Sequence, residues 1–321
     1  MPKEIIILDT DMDTDCDDAG ALAVLHALAD RGDVEIAGVV CDVGNPWTAA
    51  CAATVNRSSG RPEIPVGVSS RPYEANARYC AHYRHAAADG VIYNEAAARM
   101  SGVIPGQGFA PSDGVALYRW LLTAAEDRSV TVCAIGLLTV LADLLRSGPC
   151  RVSPLSGREL VSRKVKRLVT MAEAAFPEGR DCFNWEMDRN SAAAVLNFWP
   201  SRLTVNALGR EVLTGGRFAA CLPEKNPVAT AYRIFGRNNP AFRRPSWDQI
   251  TVLAAANACP DKLGVSPGGT LSYDASSGCH RWSCDSVGNA DYVVLLTSPE
   301  QLAEQIEVLM LAPFSLPIPT E

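Results

Sequence analysis

No stretch of this chain reaches the roughly 18 uninterrupted apolar residues that a membrane-crossing helix needs, so no membrane association is expected. Blocks of lysine or arginine are also missing. With a formal charge of −7 and a pI near 5.2, the chain has no basic surface to follow a phosphate backbone, and nucleic acid is not an expected partner. The opening MPKEIIILDTD reaches acidic residues after a four-residue apolar run, too short for a secretory signal, which points to a cytoplasmic protein. There is no C-x-x-C pair among the 11 cysteines, which are scattered, odd in number and no closer than Cys279 and Cys284. A disulfide framework or zinc ribbon is therefore not expected, and most of these thiols should be small, reduced core residues. No internal repeat, low-complexity tract or linker divides the chain, so residues 1–321 are expected to form a single catalytic domain.

Apolar residues make up 48% of the chain and charged residues 20%, ordinary globular proportions with ample material for a core. Ile5 to Leu8 is a short β-branched run, as expected for a strand buried on both faces of a parallel sheet. AGALAVLHALAD then places Leu22, Leu25 and Leu28 on one helical face. The alternation continues: VEIAGVVC as strand, WTAACAATVNRSSG as helix closed by Gly60, IPVGV as strand. Residues 70–112 show no clean periodicity and read as a binding loop with irregular helix. Further along, VALYRWLLTAAED, LLTVLADLLRS, NSAAAVLNFW and WDQITVLAAANA read as helices, and SVTVCAIG, VKRLVTMA and Leu203 to Ala207 as strands. TLSYD and DYVVLL close the chain as a small β-rich portion. This pattern predicts an α/β fold with one open, mostly parallel sheet flanked by helices, related to the Rossmann arrangement.

Directly after the first strand, DTDMDTDCDD packs Asp9, Asp11, Asp13, Asp15, Asp17 and Asp18 into ten residues. Asp17 or Asp18 alone could serve the following helix as a cap or first-turn acid, but six carboxylates exceed that need. A hard divalent cation explains them, because calcium takes about six to eight oxygen ligands, and open α/β sheets bind ligands at the carboxyl ends of their strands. An EF-hand does not fit: counted from Asp9, its sixth and twelfth positions hold Thr14 and Gly20.

ILDTDMDTDCDDAGAL resembles a longer form of the N-terminal signature of the inosine/uridine-preferring nucleoside hydrolases. Gly44-Asn45, IPVGV, AIGLLT, CFNWEMD and PSWDQITVL resemble later landmarks of that family in the same order. The resemblance implies Ca²⁺ held by Asp11, Asp18, Asp248 and the carbonyl of Ile135, with Asp11 also acting as catalytic base. It implies that Asp17, Asn45 and Asn184 hold the ribose, and that Asp9, Asp13 and Asp15 support the site, Asp13 or Asp15 standing as replacements for Asp11; His82, in the irregular stretch, is a further candidate for support. Trp185, Trp247 or Tyr232 would stack on the base. The implied reaction is calcium-dependent hydrolysis of a ribonucleoside to ribose and free base, in purine and pyrimidine salvage, by a dimer or tetramer.

Three positions depart from the family. Trp247 stands where a His precedes the distant calcium aspartate, leaving no imidazole there to protonate the base, and His82 or His85 is the alternative donor. Cys182 replaces a Glu, and Val140 an Asn. Two rival readings stay open at this point: a ribosyl- or partner-binding protein that does not turn over, and a phosphatase of the haloacid dehalogenase type, whose D-x-D motif needs Thr or Val where Asp13 or Asp15 stands.

Overall fold

The computed structural model describes residues 3–314. Its centre is β1 (Glu4–Thr10), which has a strand paired on each edge and whose apolar run is buried because helices cover both faces of the sheet. β2 (Val34–Cys41) lies parallel on one side and Val130–Ala134 parallel on the other. Beyond β2 come β3 (Val66–Val68) and the short strand Ser112–Asp113; beyond Val130–Ala134 come Val165–Met171, Arg202–Asn206 and Ala290–Leu295, all parallel. The hairpin Gly269–Asp274 and Cys279–Cys284, with Glu178–Arg180 at its edge, and Leu263–Val265 paired to Ala290–Leu295 complete the 12-stranded sheet in antiparallel fashion. The expected open, mostly parallel α/β sheet is present.

Side chains alternate across β1 and build two cores. Ile6 and Leu8 join Leu22, Leu25, Val252 and Ile306 on the face covered by α1 (Asp17–Asp30), α2 (Pro46–Ser58), Trp247–Ala255 and Pro299–Leu311. Ile7 joins Leu117, Leu141, Leu160 and Val195 under helices Gly114–Ala124, Thr139–Arg146, Gly157–Lys164 and Arg189–Leu196. The helix after β1 therefore covers one face and the helix after its neighbour Val130–Ala134 the other. Such a reversal opens a crevice at the carboxyl ends of the two strands.

Three expectations need correction. Within 70–112 the structure forms α3 (Ala77–Ala88) and the helix Asn94–Met100. The first escapes a periodicity test because it buries only Tyr79, Cys80 and Ala86 and is held largely by polar contacts, including the Asn76 cap on the Tyr79 amide at 3.1 Å. The C-terminal portion is not only β-rich. Pro299–Leu311 is a helix opened by Ser298 and Pro299 and buried along Leu302, Ile306, Leu309 and Met310. The cysteines are all free, but only Cys16, Cys41, Cys51, Cys80 and Cys133 are buried. No helix among the described residues is long and apolar enough to cross a membrane.

Gly20 lets α1 pack closely against its neighbours. A Cβ there would lie 2.6 Å from Gln249 Nε2, 2.7 Å from the Tyr232 hydroxyl and 2.8 Å from Met310 Sδ. Although alanine favours a helix by about 1 kcal/mol over glycine, Gly20→Ala should destabilise by about 1–3 kcal/mol through overpacking. Urea denaturation measures this, and an unchanged midpoint would show that the three side chains swing aside freely.

Candidate active site

The loop from Asp11 to Cys16 runs across that crevice from β1 into α1. Asp9, Asp11, Asp13, Asp17 and Asp18 are buried, and Asp15 is half-buried. Their oxygens draw hydroxyl donors from the whole fold. Tyr118 donates to Asp9 Oδ2 at 2.7 Å, Thr10 donates to Asp18, and Tyr79 on α3 and Thr48 on α2 both donate to Asp13. Asp17 and Asp18 occupy the first turn of α1 and Asp248 the first turn of its own helix, where free backbone amides favour anions. Arg244 is the cation at the centre. Its Nε donates to Asp17 Oδ1 at 2.7 Å and its Nη2 to Asp15 Oδ2 at 2.8 Å, and the guanidinium lies over the Trp247 and Phe235 rings at 5.1 Å from each.

Asp15, Asp18 and Asp248 each bring a carboxylate oxygen within 4.8 Å of the others. Oxygens bound about 2.3–2.6 Å from one calcium ion are at most about 5 Å apart, so a single ion fits between them. The charge around them also asks for one. Burial, reinforced by the neighbouring carboxylates, pushes Asp11, Asp18 and Asp248 well above the usual carboxylate range, and burial above all raises Asp9, Asp13 and Asp17 to about 7. A divalent cation acts in the opposite direction and would keep them ionised.

Of the calcium ligands implied by the resemblance, the structure gathers Asp18 and Asp248, with Asp15 where Asp11 was expected. Asp11 lies beside this set against the turn after Val130–Ala134. A Cβ on Gly136 would sit 2.6 Å from the Asp11 amide, 2.9 Å from its Oδ1 and 2.4 Å from Asp42 Oδ2, which is why that position is glycine. The Ile135 carbonyl accepts from Asn184 Nδ2 at 2.8 Å. Asn45 caps α2 through Oδ1 on the Trp47 amide, leaving Nδ2 directed at the Tyr83 hydroxyl, 3.4 Å away.

The proposed base-stacking rings fare differently. Trp185 is fully buried edge-on to Tyr273 and His280, so its face is not available to a ligand. Trp247 is wedged between Arg244 and Gly209. Tyr232 accepts from Gln249 and packs edge-on against Phe218. His82 packs edge-on to Phe183, its centroid 4.7 Å away, and its pKa is lowered by burial. With Asp15, His85, Glu173, Phe183 and Arg244 it lines a cavity of about 440 Å³ that opens onto the cluster.

Sequence reasoning missed Arg244, Asp42 and the bond from Tyr79. Asp42 carried a usable signal, a carboxylate directly after a buried strand, like Asp9 and Asp11. Arg244 carried none, because it meets Asp15 and Asp17 only after more than two hundred intervening residues have folded.

The open, mostly parallel α/β sheet matches the fold of nucleoside hydrolases. The fold is shared with a plant nucleoside hydrolase, PpNRh1, at TM-score 0.70 and 17% identity, covering 98% of this chain and 100% of that one. It is shared with the inosine-uridine preferring nucleoside hydrolase of Bacillus anthracis at TM-score 0.66 and 17% identity, covering 96% and 99%. The type III effector protein XopQ, solved with adenosine diphosphate ribose, matches at TM-score 0.72 and 13% identity over 98% and 95%. No curated protein matches the sequence. The profile of the family described as inosine-uridine preferring nucleoside hydrolase matches residues 6–262, and the chain belongs to that family. It is accordingly an enzyme of the class that acts on N-glycosyl bonds, in a metal-dependent family, which sets aside the phosphatase reading.

Two outcomes follow for the metal-free protein. Asp9, Asp13 and Asp17 hold protons up to about pH 7 when folded but only to about pH 4 when unfolded. Above pH 4 the unfolded chain is thus favoured by ionisation, so stability should fall as pH rises from 4 to 7. Denaturation in a chelator tests the slope, and a flat or rising profile would contradict it. Arg244→Ala should cost about 3 kcal/mol in the same buffer by leaving buried carboxylates unpaired, with added calcium recovering more stability than in the wild type. Equal recovery would show that Arg244 does not offset the cluster.

Proposed function

We propose that the protein hydrolyses the N-glycosidic bond of ribonucleosides with a bound Ca²⁺, releasing ribose and free base. The observation that carries this is the Asp15, Asp18 and Asp248 set at the reversal point of the sheet, beside a cavity opening on Asp15. These three carboxylates would hold the ion, with Asp11 and the Ile135 carbonyl adjacent. Calcium suits an all-oxygen, carboxylate-rich set. When bound, it would supply positive charge for the cluster and lower the pKa of a water.

The chain's own groups account for the rest. Asp11, which lies against Gly136, would take the proton of the attacking water as general base. The surrounding carboxylates stabilise the positive charge that develops on the sugar as the bond to the base lengthens. Asn45 Nδ2, Asn184 and Asp17 would hold ribose hydroxyls, Asp17 exchanging its Arg244 partner for the sugar. That a neighbour in fold is solved with adenosine diphosphate ribose supports a ribosyl ligand. α3 lies over Asp13, to which Tyr79 donates a hydrogen bond. Without an imidazole before Asp248, the leaving base takes its proton from elsewhere, and His82 in the cavity wall is within the same space. The same proposal includes action as one catalytic unit over 1–321, as a cytoplasmic dimer or tetramer, in purine and pyrimidine salvage.

Release of reducing ribose from a panel of purine and pyrimidine ribonucleosides, with calcium or with chelator, tests this. Wild type should be active only with calcium, Asp11→Ala should lose about 10²–10⁴-fold in kcat, and Asp248→Asn should need more calcium for half-maximal rate. Bound calcium without release from any nucleoside would sink the proposal.

A further inference from the structure

After the strand Val165–Met171 the chain leaves the crevice, adds Glu178–Arg180 to the edge of the strand Cys279–Cys284, and returns to the short helix Asn184–Met187. Asp181 stands where it returns. Its side chain is buried, with 2% exposed, and its partners are backbone amides. Oδ1 accepts from the Glu173 amide at 2.6 Å, and Oδ2 accepts from the amides of Trp185 at 2.7 Å and Phe183 at 3.2 Å. The Cys182 amide donates to the Glu173 carbonyl at 3.3 Å, so the outgoing and returning halves of the loop are tied side by side.

A carboxylate buried among amides, with no cation against it, is a costly choice. Burial raises its pKa to about 6, and the amides oppose that rise. Opening a helix does not explain it. Serine or asparagine can do that without burying a charge, and capping uses Oδ2 only, whereas Oδ1 reaches across the loop to the segment after the neighbouring strand. What the two oxygens hold in common is the wall of the site. Glu173 and Phe183 line the cavity that opens onto Asp15, and Phe183 packs edge-on to His82 with centroids 4.7 Å apart. Asn184 lies between the two amides held by Oδ2, and its Nδ2 donates to the Ile135 carbonyl at 2.8 Å and to Met171 Sδ at 3.1 Å. Trp185, packed against Tyr273 and His280, fixes the far end of this segment in the core.

We propose that Asp181 is a positioning residue for the substrate site, its carboxylate fixing the loop that presents Phe183 to the cavity and Asn184 to the ribose. It acts through those two residues and touches no substrate itself. The inference rests on the nucleoside-hydrolase reading and adds to it a buried acid on which sugar affinity depends, because a binding group displaced by even a fraction of an ångström loses its hydrogen bond.

Asp181→Asn keeps the size of the side chain but turns an NH₂ group toward an amide donor. Asn184 would hold the sugar in ground state and transition state alike, so KM for a ribonucleoside should rise at least about tenfold while kcat stays within about threefold. In an Asn184→Ala background the same change should raise KM no further, whereas a residue that only stabilises the fold would have the same effect in both backgrounds. NMR titration of His82 gives a readout without turnover. Burial lowers its pKa, and loosening of the Phe183 ring should let it rise toward the ordinary histidine value. If Asp181→Asn does not fold, Asp181→Ser, which is smaller and uncharged, serves the same comparisons. An unchanged KM, an equal rise in KM in the Asn184→Ala background, or a His82 titration identical to that of the wild type would overturn the proposal. A His82 shift in a protein that releases ribose from no nucleoside would sink the hydrolytic reading alone. Ribose release by the wild type, with the variant matching it in KM and in His82, would sink this inference alone.

Discussion

Carboxylates buried within a few ångströms of one another are the constraint around which this molecule is built. Asp9, Asp11, Asp13, Asp17, Asp18 and Asp248 are all nearly inaccessible to water, and their mutual repulsion in a medium of low dielectric would open the crevice if nothing opposed it. Opposition comes from many directions at once. Two helix N-termini point into the cluster, Arg244 spans Asp15 and Asp17, and the hydroxyls of Thr10, Thr48, Tyr79 and Tyr118 supply donors. A divalent cation between Asp15, Asp18 and Asp248 is the remaining contribution that the arrangement invites.

The same constraint explains why distant segments converge on one edge of the sheet. α3 contributes Tyr79, α2 contributes Thr48 and Asn45, and the turn after Val130–Ala134 contributes Gly136, whose lack of a side chain allows Asp11 and Asp42 to approach. Each contributor is an ordinary residue in its own segment. It becomes functional by being set against the aspartate loop. α3 is therefore part of the electrostatic scheme, since its Tyr79 hydroxyl satisfies Asp13.

Much of this was legible before folding was considered. The β-branched run of β1, the leucine stripe of α1 and the strand-helix alternation identify the parallel sheet, because period and composition report directly on burial. The aspartate run pointed to a cation site because no structural role absorbs so many acids. Legibility failed where burial does not follow a stripe. α3 hides one tyrosine and two small residues, so its sequence looks irregular. Trp185 looked like a ring for stacking on a base, yet an aromatic side chain reads the same whether it faces a ligand or the core, and here it faces the core.

By itself, then, the sequence determined the fold class, the position of the acidic loop at the end of the first strand, and the family signature that loop carries. These are local properties, written in hydrophobic period and in residue spacing over short windows. Only the tertiary structure decided which aspartates face one another, that oxygens of Asp15, Asp18 and Asp248 converge, that Arg244 enters from far along the chain, and that Asp42 comes within hydrogen-bond reach of Asp9. The physical reason is that coordination and ion pairing depend on distances of a few ångströms between side chains, and in a parallel sheet those distances are set by strand order and helix packing, which bring together residues that share no neighbourhood in the chain.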